Sequence, residues 1–203
     1  MFLVILPCLI LSPAPAQGSD DEASVEKMLK LDQKWTGDFD GMVKRRYIRT
    51  LVTYSKTNFF LDGFEKRGAT YELLKEFEKY INKKLKKRHL KIHVVVIPVS
   101  RDQLIPGLVE GRGDIAAAAL TVTPGREKQV DFADPVYKGV SEIVVCGNKI
   151  PRPSRLDDLS GKEVYARGSS SYWESLSRLN RSLKKRGKPP VRLKAADENL
   201  EDG

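Results

Sequence analysis

The chain has 203 residues and a formal net charge of +9, from 36 Lys and Arg against 27 Asp and Glu. Its hydrophobic fraction of 40% and charged fraction of 31% are typical of globular chains and exclude disorder throughout, while two cysteines are too few for a disulfide scaffold. The length allows a buried core and corresponds to roughly one domain and a third at about 150 residues per domain.

The first 17 residues read MFLVILPCLILSPAPAQ and carry no charge. Their strongly apolar part covers only about ten residues, which is too short to span a bilayer. The sequence Ala-Pro-Ala that ends at Ala16 has the small-x-small pattern that signal peptidase accepts. We therefore predict a signal peptide over residues 1–16, cleavage near Ala16 and a periplasmic protein, with association with the cell envelope left open. Cleavage removes Cys8 and leaves Cys146, which indicates neither an internal disulfide nor a metal site.

Residues 17–45 are predicted to form a helical lead-in, which a capping box of Ser19 and Glu22 begins. Residues 36–42 (TGDFDGM) have the composition of a turn. The β-branched and aromatic residues at 47–54 then predict a strand. Thr70 is expected to begin a helix, whose apolar residues recur at every fourth position: Leu73, Phe77, Ile81 and Leu85.

Strands and helices alternate through the rest of the chain, which is typical of parallel α/β crossovers. The predicted elements are strands at 91–99, 115–120 and 141–146, a helix at 100–111, and then a strand at 163–167, a helix at 172–185 and a strand at 191–194. The last helix carries an apolar stripe of Tyr172, Leu176, Leu179 and Leu183. We therefore predict two α/β lobes, at residues 46–145 and 146–203, with the second lobe incomplete.

A candidate anion site follows the strand at 115–120. Thr123 is placed to cap a helix, and Arg126 falls in its first turn, where a cation opposes the helix dipole and favours an anionic partner. The planar guanidinium grips carboxylates with two hydrogen bonds, and Thr121 adds a hydroxyl. The alternative is a surface arginine paired with Glu127 or Asp131.

A second candidate lies between the predicted strand at 163–167 and the following helix. Gly168 allows close approach to the backbone, and the free amides of Ser169 and Ser170 at a helix start form a cradle for an anion. Plain N-capping of the helix by serine is the alternative. Together the two candidates, one in each lobe, predict a clamp.

The stretches DQLIPGLVEGRGDIAAAALTVTPGREKQVDFADPVY and RLDDLSGKEVYARGSSS resemble the family 3 periplasmic solute-binding proteins. The stretches WTGDFDGMVKRR and ATYELLKEFEKYINKKL are most similar to the binding domain of the F-type membrane-bound lytic murein transglycosylases. The resemblance implies an α/β, periplasmic-binding-protein-like fold of two lobes and a hinge. It also implies ligand-binding residues in both lobes: Tyr54, Ser55, Phe60, Thr121, Arg126, Ser169 and Ser170.

This resemblance predicts an exported domain that clamps a small carboxylate-bearing ligand, either an amino acid, a peptide or a muropeptide. The family often has an acid near position 54, where this chain has Tyr54, and the acid of its second lobe would lie beyond Gly203. We expect the domain to be the regulatory or binding part of a lytic transglycosylase-like cell-wall protein, with peptidoglycan or another envelope component as a partner. The alternative is the substrate-binding receptor of an amino-acid-type ABC transporter.

We expect neither catalysis nor a cofactor or metal, because no segment resembles a lysozyme-like domain around a glutamate and no Ser-His-Asp spacing is present. The basic runs KKLKKRHLK and RSLKKRGK raise the question of nucleic acid. Both runs end predicted helices and lack interleaved aromatic residues, so we predict solvated helix ends and no nucleic-acid partner.

Overall fold

In the computed structural model of the chain, the described residues are 31, 33–87 and 89–199. The predicted signal peptide and the capping box of Ser19 and Glu22 lie outside them. Both lobes belong to one unit of contacting residues, 34–203. Within the described part of the chain, no helix is both long and apolar enough to cross a membrane.

The first lobe is built on a three-stranded parallel sheet, in which β1 (Tyr47–Val52) lies between β4 (His93–Pro98) and β5 (Ile115–Ala116). Its elements are α1 (Phe39–Arg45), β1 (Tyr47–Val52), β2 (Phe60–Asp62), β3 (Glu65–Arg67), α2 (Ala69–Lys84), β4 (His93–Pro98), a 3-10 helix (Arg101–Gln103), α3 (Leu104–Val109) and β5 (Ile115–Ala116). In register, Tyr47 pairs with His93 and Thr50 pairs with Ile115. The predicted strand–helix alternation of this lobe is confirmed.

Helices cover both faces of the central strand, which explains why all but its first residue is buried. Ile48 packs against Ile81 of α2, whereas Leu51 points to the opposite face and packs against Leu104 of α3. Successive side chains of a strand point to opposite faces of the sheet. A strand that is covered on both faces therefore needs apolar residues at odd-numbered and at even-numbered positions.

The second lobe is smaller in its described part. It contains a 3-10 helix (Leu156–Leu159), β6 (Glu163–Arg167), α4 (Ser171–Lys185) and β7 (Arg192–Ala196), and β6 pairs with β7 in parallel. Its core is one cluster of buried side chains: Leu159, Leu183 and Val191. The strand and helix predicted at 163–167 and 172–185 are confirmed almost to the residue.

Three stretches differ from the sequence predictions. The turn predicted at 36–42 is wrong, because α1 begins at Phe39 and ends where Arg46 adopts a left-handed φ of 66°. The strand predicted at 115–120 ends at Ala116, and Ala119 has a left-handed φ of 46°, which no strand residue adopts. The strand predicted at 141–146 is absent and the segment is irregular.

In each of the two apolar helix stripes predicted from the sequence, one residue is exposed rather than buried. In α2, Leu74 is buried while Leu73 is 66% exposed, because the buried face follows a mixed three- and four-residue spacing. In α4, Leu183 is fully buried, whereas Tyr172 at the other end of the predicted stripe is exposed.

Gly68 precedes α2 at a φ of 121°, and a Cβ there would lie 2.2 Å from the carbonyl oxygen of Asn58, so this position requires glycine.

A buried ion pair fastens β5 to β1. The Asp114 carboxylate accepts hydrogen bonds from the Arg49 backbone N–H at 2.6 Å and from the Arg49 Nη2 at 3.0 Å. The same carboxylate pairs with Arg45, whose guanidinium lies 4.0 Å from the centre of the Trp35 ring. The network thereby holds the end of α1 and two strands in one arrangement.

Candidate ligand-binding site

The candidate anion site lies beyond the carboxyl end of β5, the edge at which open α/β sheets bind ligands. There the Thr123 hydroxyl accepts a hydrogen bond from the Arg126 backbone N–H at 3.3 Å, and the Thr123 carbonyl accepts from the N–H of Arg126 and of Glu127, both at 3.0 Å. These are the hydrogen bonds predicted for a capping residue. The expected helix is instead a run of turns at residues 124–129.

The Arg126 guanidinium is directed at oxygen atoms of both lobes. Its Nη1 donates to the Thr121 carbonyl at 2.9 Å, its Nη2 to the Ser169 carbonyl at 2.7 Å, and its Nε to Glu174 Oε1 at 3.1 Å. Arg126 is only 6% exposed. The alternative of a surface arginine paired with a neighbour in sequence is therefore wrong, because its carboxylate partner lies 48 positions away in α4.

The loop between β6 and α4 provides the second part of the site. The Ser169 backbone N–H donates to Glu198 Oε1 at 2.9 Å, and the Ser169 hydroxyl donates to Glu198 Oε2. A Cβ at Gly168 would lie 3.4 Å from Glu198 Oε1, so glycine leaves room for this carboxylate. The backbone of the loop thus binds an anionic group, as predicted from the sequence. In this structure the anionic group is the Glu198 side chain.

Ser170 has a different role from its neighbour. Its hydroxyl accepts from the Trp173 backbone N–H at 3.2 Å and donates to the Arg167 carbonyl at 2.6 Å, so Ser170 is the N-cap of α4. Both hydrogen bonds lie within the loop and the first turn. The capping alternative is confirmed for this serine, and its hydroxyl is already engaged.

A pair of hydroxyl groups adds a contact across the two lobes. The Ser171 hydroxyl donates to the Thr121 hydroxyl at 3.4 Å, beside the bond from Arg126 to the Thr121 carbonyl. Thr121, Arg126 and Ser169 are therefore brought together as the sequence predicted. Two of the three hydrogen bonds of the Arg126 guanidinium go to groups of lobe 2.

The other three residues implied by the resemblance lie near the hairpin of β2 and β3. Tyr54 is 52% exposed and packs edge-to-face on Phe59, with ring centres 6.3 Å apart. The Ser55 hydroxyl accepts from the Asn58 backbone N–H at 3.0 Å and so closes the turn after β1. Phe60 is the first residue of β2 rather than a loop residue. Within the described residues, no hydrogen bond joins Tyr54 or Ser55 to Arg126.

Two functional candidates, Glu174 and Glu198, escaped the sequence analysis. Glu174 lies in the first turn of α4, where acids are common because they complement the helix dipole. An acid at this position therefore gives no sequence signal of a contact with Arg126. Glu198 is the second residue after the end of β7, and β7 pairs in parallel with β6. The carboxyl ends of the two strands lie at one edge, which is the signal that places Glu198 near Ser169.

A strongly basic surface lies away from this site, at the end of α2. A cavity of about 820 Å³ is lined there by Glu78, Lys79, Asn82, Lys83, Lys86, Lys87 and Lys91. The lysine side chains lie at the carboxyl end of α2, where their positive charges complement the negative end of the helix dipole. This arrangement is expected for a solvated helix end.

The family model of the bacterial extracellular solute-binding proteins, family 3, matches residues 49–199. Among curated relatives, the membrane-bound lytic murein transglycosylase F of Maricaulis maris (strain MCS10) is 34% identical over 110 residues, which are 53% of this chain and 24% of that protein. Its counterpart in Aeromonas hydrophila subsp. hydrophila is 31% identical over 128 residues, 63% of this chain and 24% of that protein. The chain thus spans about a quarter of the length of these relatives.

Solved structures show the same fold. The holo ArgBP of T. maritima has a TM-score of 0.55 at 19% identity, over 79% of this chain and 64% of that one. An ancestral amino acid-binding protein, a precursor of cyclohexadienyl dehydratase, has a TM-score of 0.53 at 24% identity, over 77% and 63% of the two chains. These shares agree with the predicted periplasmic-binding-protein-like fold and its incomplete second lobe. Because the family model matches residues 49–199, the chain belongs to the bacterial extracellular solute-binding proteins of family 3.

Proposed function

We propose that this chain is an exported, periplasmic binding domain that clamps a small carboxylate-bearing ligand between its lobes, at residues 46–145 and 146–203. The observation that carries the proposal is Arg126, a buried guanidinium at the carboxyl end of the lobe-1 sheet whose hydrogen bonds reach the carbonyl of Ser169 and the carboxylate of Glu174 in lobe 2. Oxygen atoms already surround this group, and the planar guanidinium matches the two oxygen atoms of a carboxylate with two parallel hydrogen bonds.

Thr121, Ser169 and Ser171 support the same proposal. They bring backbone and hydroxyl groups of both lobes to one place, and a ligand carboxylate entering there would find donors from each lobe. A clamp of this kind closes by small rotations about the connecting segment. Tyr54, Ser55, Phe60 and Ser170 complete the proposed lining on the resemblance alone.

We further propose that the domain is the regulatory or binding part of a lytic transglycosylase-like cell-wall protein. The support is that the curated relatives carry this match in about a quarter of their length and are named as membrane-bound lytic murein transglycosylases. Catalysis would then lie outside the binding domain. A peptidoglycan fragment with a free carboxylate would present the same group to Arg126 as an amino acid does.

Isothermal titration calorimetry tests the carboxylate site with L-arginine, L-glutamine and D-alanyl-D-alanine, each compared with its C-terminal amide. We expect the amide to bind at least about tenfold more weakly than the acid, because a neutral amide loses the charge-assisted pair with Arg126. Arg126→Ala is expected to weaken binding of the acids by about a hundredfold.

Arg112→Ala is the matched control. Arg112 also donates to two side chains, Glu110 at 3.1 Å and Gln103 at 2.9 Å, but lies outside the site. This variant should bind as the parent chain does. Equal affinity for acids and amides, or unchanged affinity in Arg126→Ala, contradicts the proposed function.

A further inference from the structure

We infer that Glu174 is a specificity-determining residue, which selects ligands by charge; the inference rests on the carboxylate site proposed above. Ligands that carry a cationic group with their carboxylate are favoured, and ligands with a second negative charge are rejected. The starting observation is that the ion-pairing position on Arg126 is already held by a carboxylate of the chain.

The geometry shows how completely Arg126 is engaged. An arginine side chain has five N–H donors, and three of them point to the Thr121 carbonyl, the Ser169 carbonyl and Glu174 Oε1 at 2.7–3.1 Å. The Arg126 side chain is 7% exposed and that of Glu174 is 33% exposed. The pair is thus removed from water on the arginine side and open on the glutamate side, where a ligand would enter.

An incoming carboxylate must share Arg126 with Glu174 or displace it. Either outcome leaves two like charges near a single guanidinium, and screening by solvent is weak around a buried group. A ligand ammonium or guanidinium relieves this conflict, because it gives Glu174 a new partner when the ligand carboxylate takes Arg126. A second ligand carboxylate increases the conflict.

Glu198 strengthens the same preference. It is half-buried and accepts two hydrogen bonds from Ser169, whose carbonyl in turn accepts from Arg126. One carboxylate, that of Glu174, therefore contacts the guanidinium directly, and the other, that of Glu198, is linked to it through Ser169. Arg126, Glu174 and Glu198 together carry one net negative charge, which favours a ligand that brings positive charge.

Three probes that share one α-amino-acid core test this inference: L-arginine, L-glutamine and L-glutamate. In the parent chain, we expect affinity to fall from arginine to glutamine to glutamate. Glu174→Gln keeps the size of the side chain and removes its charge, so the ratio of arginine affinity to glutamate affinity should fall by about tenfold. The ratio is the chosen readout because any effect of the variant on lobe closure acts on the three probes alike.

Glu163→Gln is the matched control. It removes the same charge from the same lobe at the first residue of β6, whereas the site lies beyond the last residue. The ratio should stay unchanged in this variant. An equal fall of the ratio in both variants would reduce the effect to net charge and would overturn the role of Glu174, as would an unchanged ratio in Glu174→Gln.

Urea unfolding gives a measurement that needs no ligand. In a double-mutant cycle of Arg126→Gln and Glu174→Gln, the double variant should lose less stability than the sum of the single variants, since each single change already breaks the pair. Additive losses would show that the pair is not formed and would overturn the inference. Binding that depends on Arg126 with an unchanged probe ratio overturns the selectivity alone, whereas no binding of any probe contradicts both the selectivity and the proposed function.

Discussion

The two lobes bury their side chains to very different extents. Lobe 1 covers both faces of β1 and contains three clusters of buried apolar residues, whereas the described part of lobe 2 has one cluster beneath α4. Lobe 1 presents the guanidinium of Arg126, and lobe 2 presents the carboxylates that contact it or its neighbour Ser169. The cation therefore lies on the lobe with the larger buried core, and its counter-charges lie on the lobe with the smaller one.

The largest expected effect concerns the buried charge of lobe 1. Asp114→Asn should destabilise the chain by about 3–5 kcal/mol, because it leaves the fully buried guanidinium of Arg49 without its counter-ion. Urea unfolding measures the loss. Asp62→Asn is the control, since its ion pair with Arg67 is exposed on both sides and should contribute only about 0–1 kcal/mol. Similar losses in the two variants would mean that the lobe-1 network is not buried in solution.

The next effect tests the weaker lobe. Leu183→Ala should cost about 2–5 kcal/mol of folding stability, because it opens a cavity in the core cluster of the described part of lobe 2. Hydrogen exchange should then show faster exchange through β6, α4 and β7, with the β1 amides still protected. Leu156→Ala, at an exposed position of the same lobe, is the control. Equal acceleration in both lobes would contradict the difference drawn between them.

The smallest effect concerns an exposed contact of lobe 2. Asp157 accepts from Arg186 at 2.6 and 2.8 Å and from Lys188 at 2.7 Å, and these hydrogen bonds hold the pKa of the Asp157 carboxyl well below its ordinary value. A carboxyl with a lowered pKa in the folded state contributes stability above its unfolded pKa of about 3.9, and this contribution is lost as the pH falls towards the folded pKa.

The melting temperature of Asp157→Asn should therefore lie slightly below that of the parent chain at pH 7. The gap should close as the pH falls below about 4. Asp134→Asn, which changes an exposed aspartate of lobe 1, should show no comparable gap. A gap that persists or widens in acid would mean that the Asp157 contacts do not hold the 3-10 helix to the end of α4.

Much of the local structure could be predicted because it depends on local physics. The long helices α2 and α4 follow from helical periodicity, and the start of α4 follows from the capping hydroxyl of Ser170. The Thr123 cap was predictable for the same reason, since its bonds reach only three and four residues along the chain. These features need no knowledge of distant parts of the molecule.

Errors arose where a distant partner decides the outcome. The apolar residues at 141–146 favour a strand, yet a strand forms only beside a neighbour that satisfies its backbone groups, and Val145 is 87% exposed. Arg126 has acids close by in sequence, but its partner is Glu174 in the other lobe. Spacing along the chain gives no measure of such contacts.

The sequence by itself determined the two α/β lobes, the family resemblance and the presence of an arginine and a serine-rich loop at strand ends, because strand and helix patterns and capping residues act over a few positions. Only the tertiary structure decided that Arg126 is buried and that Glu174 and Glu198 supply its surrounding charges. The ion pair across 48 positions and the serine–glutamate hydrogen bonds across 29 positions depend on how the strands align their carboxyl ends, and this alignment exists only in the folded chain.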